Sequence, residues 1–106
     1  MKKDEFKTDV MFRKVKSGDD KGTIEAFFPY DIADRKGNIT CYADLGQHSG
    51  ACWEYVINNT IPAKENEYQY LKSGLESIGY NLRIIKRRNY RKYLTEFQKE
   101  KEMYYN

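Results

Sequence analysis

The chain has 106 residues and a formal net charge of +3 at pH 7, and 15% of its residues are aromatic. This length predicts one domain with a single modest core. No stretch approaches the roughly 18 apolar residues of a membrane span, and the start MKKDEFKTDV lacks the apolar region of a secretory signal. Two cysteines are too few for a disulfide framework, so we expect a cytoplasmic protein with free thiols and no membrane partner.

The N-terminal third predicts a β-hairpin. Residues 1–9 are polar, and we expect a flexible N-terminus there. Alternating apolar residues predict a first strand over Val10–Val15 and a second over Thr23–Phe28, joined by the turn-forming sequence SGDDKG at Ser17–Gly22. Because proline has no backbone N–H to donate, Pro29 is expected to end the regular pairing of the second strand.

The middle of the chain predicts a third strand followed by a less regular stretch. After a loop over Tyr30–Asn38, apolar residues alternate along Ile39–Leu45 as in a half-buried strand. The segment Gly46–Gly50 is predicted to be a loop whose glycines adopt positive φ. Residues 51–58 fit either a short helix with Ser49 near its cap or an alternating strand, and we favour the helix.

The most regular pattern in the chain predicts one amphipathic helix and a strand that returns along it. Apolar residues at spacings of three, four and three define a helix over residues 65–78 and its buried face: Tyr68, Leu71, Leu75 and Ile78. Gly79 follows the last of these residues and is expected to end the helix. Leu82–Lys86 then alternates as a strand, which should join the sheet at an edge or beside the first strand.

The C-terminal residues 89–106 predict a second amphipathic helix with a narrow apolar stripe. Such a helix could dock on the domain, dimerise or order against a partner, and the sequence leaves these alternatives open. For residues 10–88 we predict a single α+β domain, a mainly antiparallel sheet of three to four strands packed on the 65–78 helix. The first three strands are expected to form a meander.

Several separated motifs resemble those of a family of small uncharacterised proteins of phages and conjugative elements. The motifs are FRK at Phe12–Lys14, AFFP at Ala26–Pro29, LGQHSGA at Leu45–Ala51 and PAKENEYQYLKSGLESIGYNLRIIKR at residues 62–87. The resemblance covers about residues 10–88 and implies an accessory role in a mobile element, without an assigned activity. The chain departs from the family pattern at Lys64, where Thr or Ser is usual, and in its long tail.

Cysteine and histidine residues in the middle of the chain give little indication of catalysis or metal binding. Cys41, Asp44, His48 and Cys52 are residue types that bind zinc, but their spacing does not match the paired ligands of structural zinc sites. His48 and Cys52 could form a catalytic pair only if a helix started at His48. We therefore predict no metal and no catalytic residue, and a Cys/His enzyme is the least favoured hypothesis.

No cofactor is predicted either. The seven glycines never fall into the GxGxxG or GxxxxGK spacing of phosphate-binding loops. Glu65 and Glu67 in the first turn of the predicted helix would also repel a phosphate at that end.

Cations interleaved with tyrosines between residues 83 and 93 provide the strongest polar signal in the chain. This composition suits a nucleic-acid surface, because cations neutralise phosphates and exposed rings stack on bases. The alternative is solvated charge at a strand end and a helix start. The candidate residues are Arg83, Lys86, Arg87, Arg88, Tyr90, Arg91, Lys92 and Tyr93. Of these, Arg87, Arg88 and Arg91 are predicted to be exposed on one surface with Tyr90 or Tyr93.

A second candidate surface groups aromatic residues around the GQH loop. If this loop lies beside the start of the helix, the aromatic residues would line a cleft suited to a protein partner, although Trp53 and Tyr68 could instead belong to the core. The candidates are Tyr42, Gln47, His48, Trp53 and Tyr68. The sequence thus favours a non-enzymatic binding protein that contacts nucleic acid, with a protein-binding or inhibitory module as the alternative.

Overall fold

The computed structural model describes residues 7–43 and 48–105. This part of the chain forms a six-stranded sheet and three α-helices, so the predicted α+β class is confirmed. In chain order the elements are β1 Thr8–Val15, β2 Ile24–Ile32, β3 Ile39–Ala43, β4 His48–Ala51, α1 Trp53–Asn59, β5 Thr60–Pro62, α2 Glu65–Ser77, β6 Leu82–Ile84 and α3 Tyr90–Glu100, which ends in a π-helical turn Lys101–Tyr105.

The sheet is built on the predicted meander of β1, β2 and β3. Its order is β4-β3-β2-β1-β5, and all of these neighbours are antiparallel. β6 also pairs with β1, in parallel, on the same edge as β5. β5 takes the Arg13–Val15 part of that edge, and β6 takes the Thr8–Val10 part. The edge of β1 is therefore shared by two short strands.

Each face of the sheet is covered by helix. α2 covers one face, where Leu71 and Leu75 are buried against Val10, Phe12 and Phe28. The opposite face carries α1 and α3, and its buried core contains Met11, Phe27, Ile39, Cys41 and Val56. This division follows from the period of two along a strand, since Phe12 and Met11 point to opposite faces.

The boundaries of β1 and β2 differ from the predicted ones. β1 begins at Thr8, inside the segment expected to be flexible. β2 continues past Pro29 to Ile32, because the strand accommodates the proline with a register shift between Phe28 and Ile32. Regular pairing with β3 does stop at Phe28, so the missing N–H of Pro29 acts as expected without ending the strand.

The segment predicted to be a glycine loop is also different. His48–Ala51 forms the edge strand β4, and Gly50 does not have positive φ. Leu45, Gly46 and Gln47 lie outside the described residues, as does Asp44. The favoured helix in the next segment is confirmed as α1, but its N-cap is Cys52 and not a residue near Ser49.

The helix predicted over residues 65–78 is confirmed as α2 and ends one residue earlier. Gly79 follows with φ +111°, the left-handed conformation that closes the helix. Ile78 was predicted to be buried but is 57% exposed, because it caps the helix and turns away from the sheet. Tyr68 is half-buried, and its ring stacks on Phe12 at 4.5 Å.

The predicted C-terminal helix is confirmed as α3, and it docks on the sheet. Tyr93 packs against the second core and donates a 2.6 Å hydrogen bond to the carbonyl of Gly37. Gly37 is buried with φ +86°, and a Cβ placed there would lie 2.8 Å from the Phe97 ring. Glycine is therefore needed at this contact. None of the described helices is long and apolar enough to span a membrane.

Candidate nucleic-acid interface

Two of the six cations predicted to bind nucleic acid are paired with a nearly buried carboxylate of the sheet. The Asp9 carboxylate on β1 accepts a 2.6 Å bond from Arg83 Nε and a 3.1 Å bond from Lys92 Nζ. The Asp9 side chain is 7% exposed. Burial raises its pKa, but the hydrogen bonds from the two cations outweigh burial and hold the pKa of Asp9 below its ordinary value. This charged triad joins β1, β6 and α3.

Arg88 is a third cation that the fold uses, and the prediction that it is exposed was wrong. Its guanidinium lies 4.0 Å from the ring centroid of Trp53 and 4.1 Å from that of Tyr93. The two rings come from α1 and α3, so the cation bridges these helices through cation–π contacts. The side chain is half-buried, and burial lowers its pKa. Arginine nevertheless stays protonated at neutral pH.

Three cations remain on the surface without an acidic partner among the described residues: Lys86, Arg87 and Arg91. All three are exposed, as predicted for Arg87 and Arg91. They lie in the loop between β6 and α3 and in the first turn of α3. Tyr90 begins α3 beside them and is 60% exposed. We call Lys86, Arg87, Tyr90 and Arg91 the basic loop surface.

A cleft of about 510 Å³ adjoins this surface where β5 and β6 share the edge of β1. Its walls include Met11, Phe12, Arg13, Pro62, Ala63, Lys64, Glu65, Tyr68, Ile84, Ile85 and Lys86. Lys86 belongs to both the cleft and the basic loop surface. The sequence did not predict this cleft, because it arises from the pairing of two strands far apart in the chain. A motif at a fixed spacing could not have revealed it.

The second candidate surface does not form one cleft. Tyr42 and His48 pack edge to face at 4.8 Å. His48 Nε2 lies 2.9 Å from the hydroxyl of Tyr80. Tyr80 was not among the residues predicted from the sequence. Tyr68 packs against the same core cluster as Tyr42 and Tyr80, but Trp53 packs against the opposite face of the sheet. Gln47 lies outside the described residues.

In the part of the chain that the structure describes, His48 and the cysteines are not arranged as the hypothesis of a catalytic pair assumed. His48 lies on β4 and not at a helix start, so the helical spacing assumed for a His48–Cys52 pair is absent. Cys41 is buried, and its Sγ atom lies 3.1 Å from the Ser49 hydroxyl. Burial raises the pKa of the Cys41 thiol. Within the ranges that the structure describes, no group of three His, Cys, Asp or Glu residues could hold a metal ion.

Comparison of the chain with protein-family models, with curated proteins and with solved structures found no match. The basis for a functional assignment is therefore the geometry and charge of the surfaces described above. Among the described residues, the basic loop surface combines exposed cations that have no acidic partner with an exposed aromatic ring.

Proposed function

We propose that this protein is a non-enzymatic binding protein that contacts nucleic acid through the basic loop surface. One observation carries the proposal: Lys86, Arg87 and Arg91 are exposed and have no acidic partner in the described part of the chain. Such cations neutralise phosphates and release counterions, which is the main source of affinity for nucleic acid. The exposed ring of Tyr90 adds a surface on which a base can stack.

The position of Arg91 indicates that this residue does not stabilise the helix in which it lies. Arg91 lies in the first turn of α3, where the helix dipole disfavours positive charge, and no acidic residue is found in that turn. The helix start is stabilised instead by Asn89, whose side chain accepts a hydrogen bond from the Lys92 backbone N–H. A positive surface kept at a small cost to the helix is consistent with selection for an anionic partner.

The test is a titration of a labelled oligonucleotide with the protein between about 50 and 200 mM salt. We expect the affinity of the wild type to fall steeply as salt increases. Replacing Lys86, Arg87 and Arg91 with Gln should weaken binding strongly and reduce the slope of log Kd against log salt by about 2 to 3. Its thermal unfolding should change little, because none of the three side chains packs in a core.

The matched control removes the same charge elsewhere on the surface. Lys16, Lys21 and Lys36 are exposed, and replacing them with Gln leaves the basic loop surface intact. The salt slope of this control variant should differ from that of the wild type by no more than the effect of about one charge. Equal losses in the two triple variants would indicate attraction by net charge alone and would contradict the proposal.

If the wild type binds no oligonucleotide, the protein-binding alternative takes precedence. Its most defined surface is the contact between His48, Tyr80 and Tyr42, where His48 is exposed and Tyr42 is half-buried. Burial, together with the charges of Asp31 and Tyr42, raises the pKa of Tyr80. The phenol therefore stays neutral and can exchange a hydrogen bond with His48 or with a partner.

A further inference from the structure

The cleft beside the basic loop surface exists because of an unusual use of the β1 edge. β5 pairs with residues 13–15 and β6 with residues 8–10 of the same edge. Each short strand is continued toward the gap by one further bond: the Ala63 N–H donates to Phe12 O, and the Ile85 N–H donates to Val10 O. The cleft lies where these two bonds end the pairing, and Met11, Phe12 and Arg13 of β1 line it.

The charges around the cleft favour an anion. Arg13, Lys64 and Lys86 contribute three cations to its walls, and Glu65 contributes the single carboxylate among them. The guanidinium of Arg13 is held in place by a 2.6 Å bond from its Nε to the Thr60 hydroxyl and a 2.9 Å bond from Nη2 to the Thr60 carbonyl. A cation fixed in this way loses less conformational entropy when it binds a phosphate.

Most of the other residues that line the cleft are apolar or aromatic. Met11, Ala63 and Ile85 line it, together with the stacked rings of Phe12 and Tyr68. Its volume of about 510 Å³ lies within the usual range of small-ligand pockets. A ligand that matches both parts combines a flat apolar ring with a phosphate, and one unpaired nucleotide has this chemistry.

We infer that the cleft accepts a single nucleotide of the nucleic acid bound by the basic loop surface, so that the protein selects single strands over duplexes. The inference rests on the proposed function, because Lys86 connects the two surfaces. An unpaired base can leave its neighbours and enter a cleft, whereas a base in a duplex is held by stacking and pairing. The phosphates on either side would contact Lys86 and Arg13.

The experiment compares one single-stranded oligonucleotide of about 12 nucleotides with its duplex, for the wild type and an Ala63→Phe variant. The wild type should bind the single strand roughly tenfold or more tightly, the effect of one stacked base. Ala63→Phe fills the cleft without changing charge, so its affinity for the single strand should fall to that for the duplex. The affinity of this variant for the duplex, and the salt slope of its duplex binding, should be the same as those of the wild type.

The control is Ala33→Phe, which adds the same ring to an exposed turn away from the cleft. It should retain the preference for the single strand. Equal binding of single strand and duplex by the wild type overturns the inference, as does a preference that survives in Ala63→Phe. Either result leaves the proposed function intact, since that function is tested separately by the Lys86, Arg87 and Arg91 triple variant and its matched control.

A second measurement on the unaltered protein covers the case in which Ala63→Phe does not fold. An oligonucleotide carrying 5-iodouracil at one position is bound, irradiated and mapped by mass spectrometry. Crosslinks to Tyr68 or Phe12 support insertion of a base into the cleft. Crosslinks confined to Tyr90 would place the bases on the basic loop surface alone and would overturn the inference.

Discussion

Arg91 and Lys92 are neighbours in the sequence, but the structure uses them in opposite ways. Lys92 donates to the buried Asp9 carboxylate, and its ammonium lies 4.4 Å from the ring centroid of Tyr30. Arg91 is exposed and has no acidic partner in the part of the chain that the structure describes. The same division runs through all six cations between residues 83 and 92. Half of them stabilise the fold, and half remain available to a partner.

A cluster of charge in a sequence is therefore not a cluster of charge on a surface. Important partners of these cations are remote in sequence: Asp9 is 74 residues from Arg83, and Trp53, which covers Arg88, belongs to α1. A binding surface can therefore be defined only after the cations that the fold uses are removed. Four predictions test the contacts that hold α3 and the paired cations in place, in order of expected effect.

The largest effect is expected when the docking of α3 is disrupted. Gly37→Ala places a Cβ 2.5 Å from the Tyr93 hydroxyl and forces a residue with a side chain to adopt φ +86°. The overpacking and the backbone strain together should cost about 2–4 kcal/mol of unfolding free energy. Chemical denaturation measures this loss.

Gly18→Ala is the matched control for this substitution. Gly18 also has φ +86°, but a Cβ there would meet no atom within 4 Å. Only the backbone strain remains, so the expected cost is about 1–2 kcal/mol. If the two variants lose the same free energy, the contact of Gly37 with α3 contributes nothing to stability.

Asp9→Asn should have the next largest effect, because it removes the carboxylate that neutralises two cations. Two charge-assisted hydrogen bonds are weakened at a nearly buried position. We expect a loss of about 2–3 kcal/mol in unfolding free energy. Asp19→Asn is the control, since Asp19 is exposed in the turn between β1 and β2 and should change stability by less than about 0.5 kcal/mol.

The ion pairs of Asp9 also make the stability of the protein depend on pH. The pKa of Asp9 is lower in the folded state than in the unfolded chain, so its stabilising contribution is fully present above the unfolded pKa of about 4. That contribution is lost as pH falls through the folded pKa. Denaturation at a series of pH values should therefore show the wild type and Asp9→Asn converging in stability below about pH 4. If the difference in unfolding free energy between the wild type and Asp9→Asn stayed constant down to about pH 2, the ion pairs of Asp9 would not be its cause.

Arg88→Gln should have a smaller effect, which separates the covered cation from its exposed neighbour. Loss of the cation–π contacts with Trp53 and Tyr93 should cost about 1–2 kcal/mol. Arg87→Gln, one residue earlier, should stay within about 0.5 kcal/mol of the wild type. Trp53 is the single tryptophan of the chain, so its fluorescence should also change in the Arg88 variant and not in the Arg87 variant.

Much of the fold could be predicted from local patterns. The hairpin, α2 with its stop at Gly79, and α3 each carry a periodicity or a turn signal within a short window. β4 and β5 carried no such signal. The sequence HSGA has small and polar residues without alternation, and β5 has three residues, so both become strands through pairing with β3 and β1. Tertiary contacts override weak local propensity in this way.

The site could be predicted only in part, for a related reason. The exposure of Arg87 and Arg91 was predicted correctly, because exposure is the ordinary state of polar loop residues. The roles of Arg83, Arg88 and Lys92 depend on partners from β1 and α1. The cleft depends on two strands sharing one edge. No pattern in a single sequence specifies such long-range pairing, whereas hydrophobic periodicity does specify the elements themselves.

The salt slope of oligonucleotide binding for two single variants, Arg91→Gln and Lys92→Gln, distinguishes available cations from those that the fold uses. Each removes one positive charge from adjacent positions. We expect Arg91→Gln to lower the slope by about 0.7–0.9 and to leave stability unchanged. Lys92→Gln should keep the slope of the wild type and lower the unfolding free energy. Equal reductions of the slope in the two variants would show that Lys92 is as available as Arg91, and would contradict the division between cations that the fold uses and cations that it leaves free.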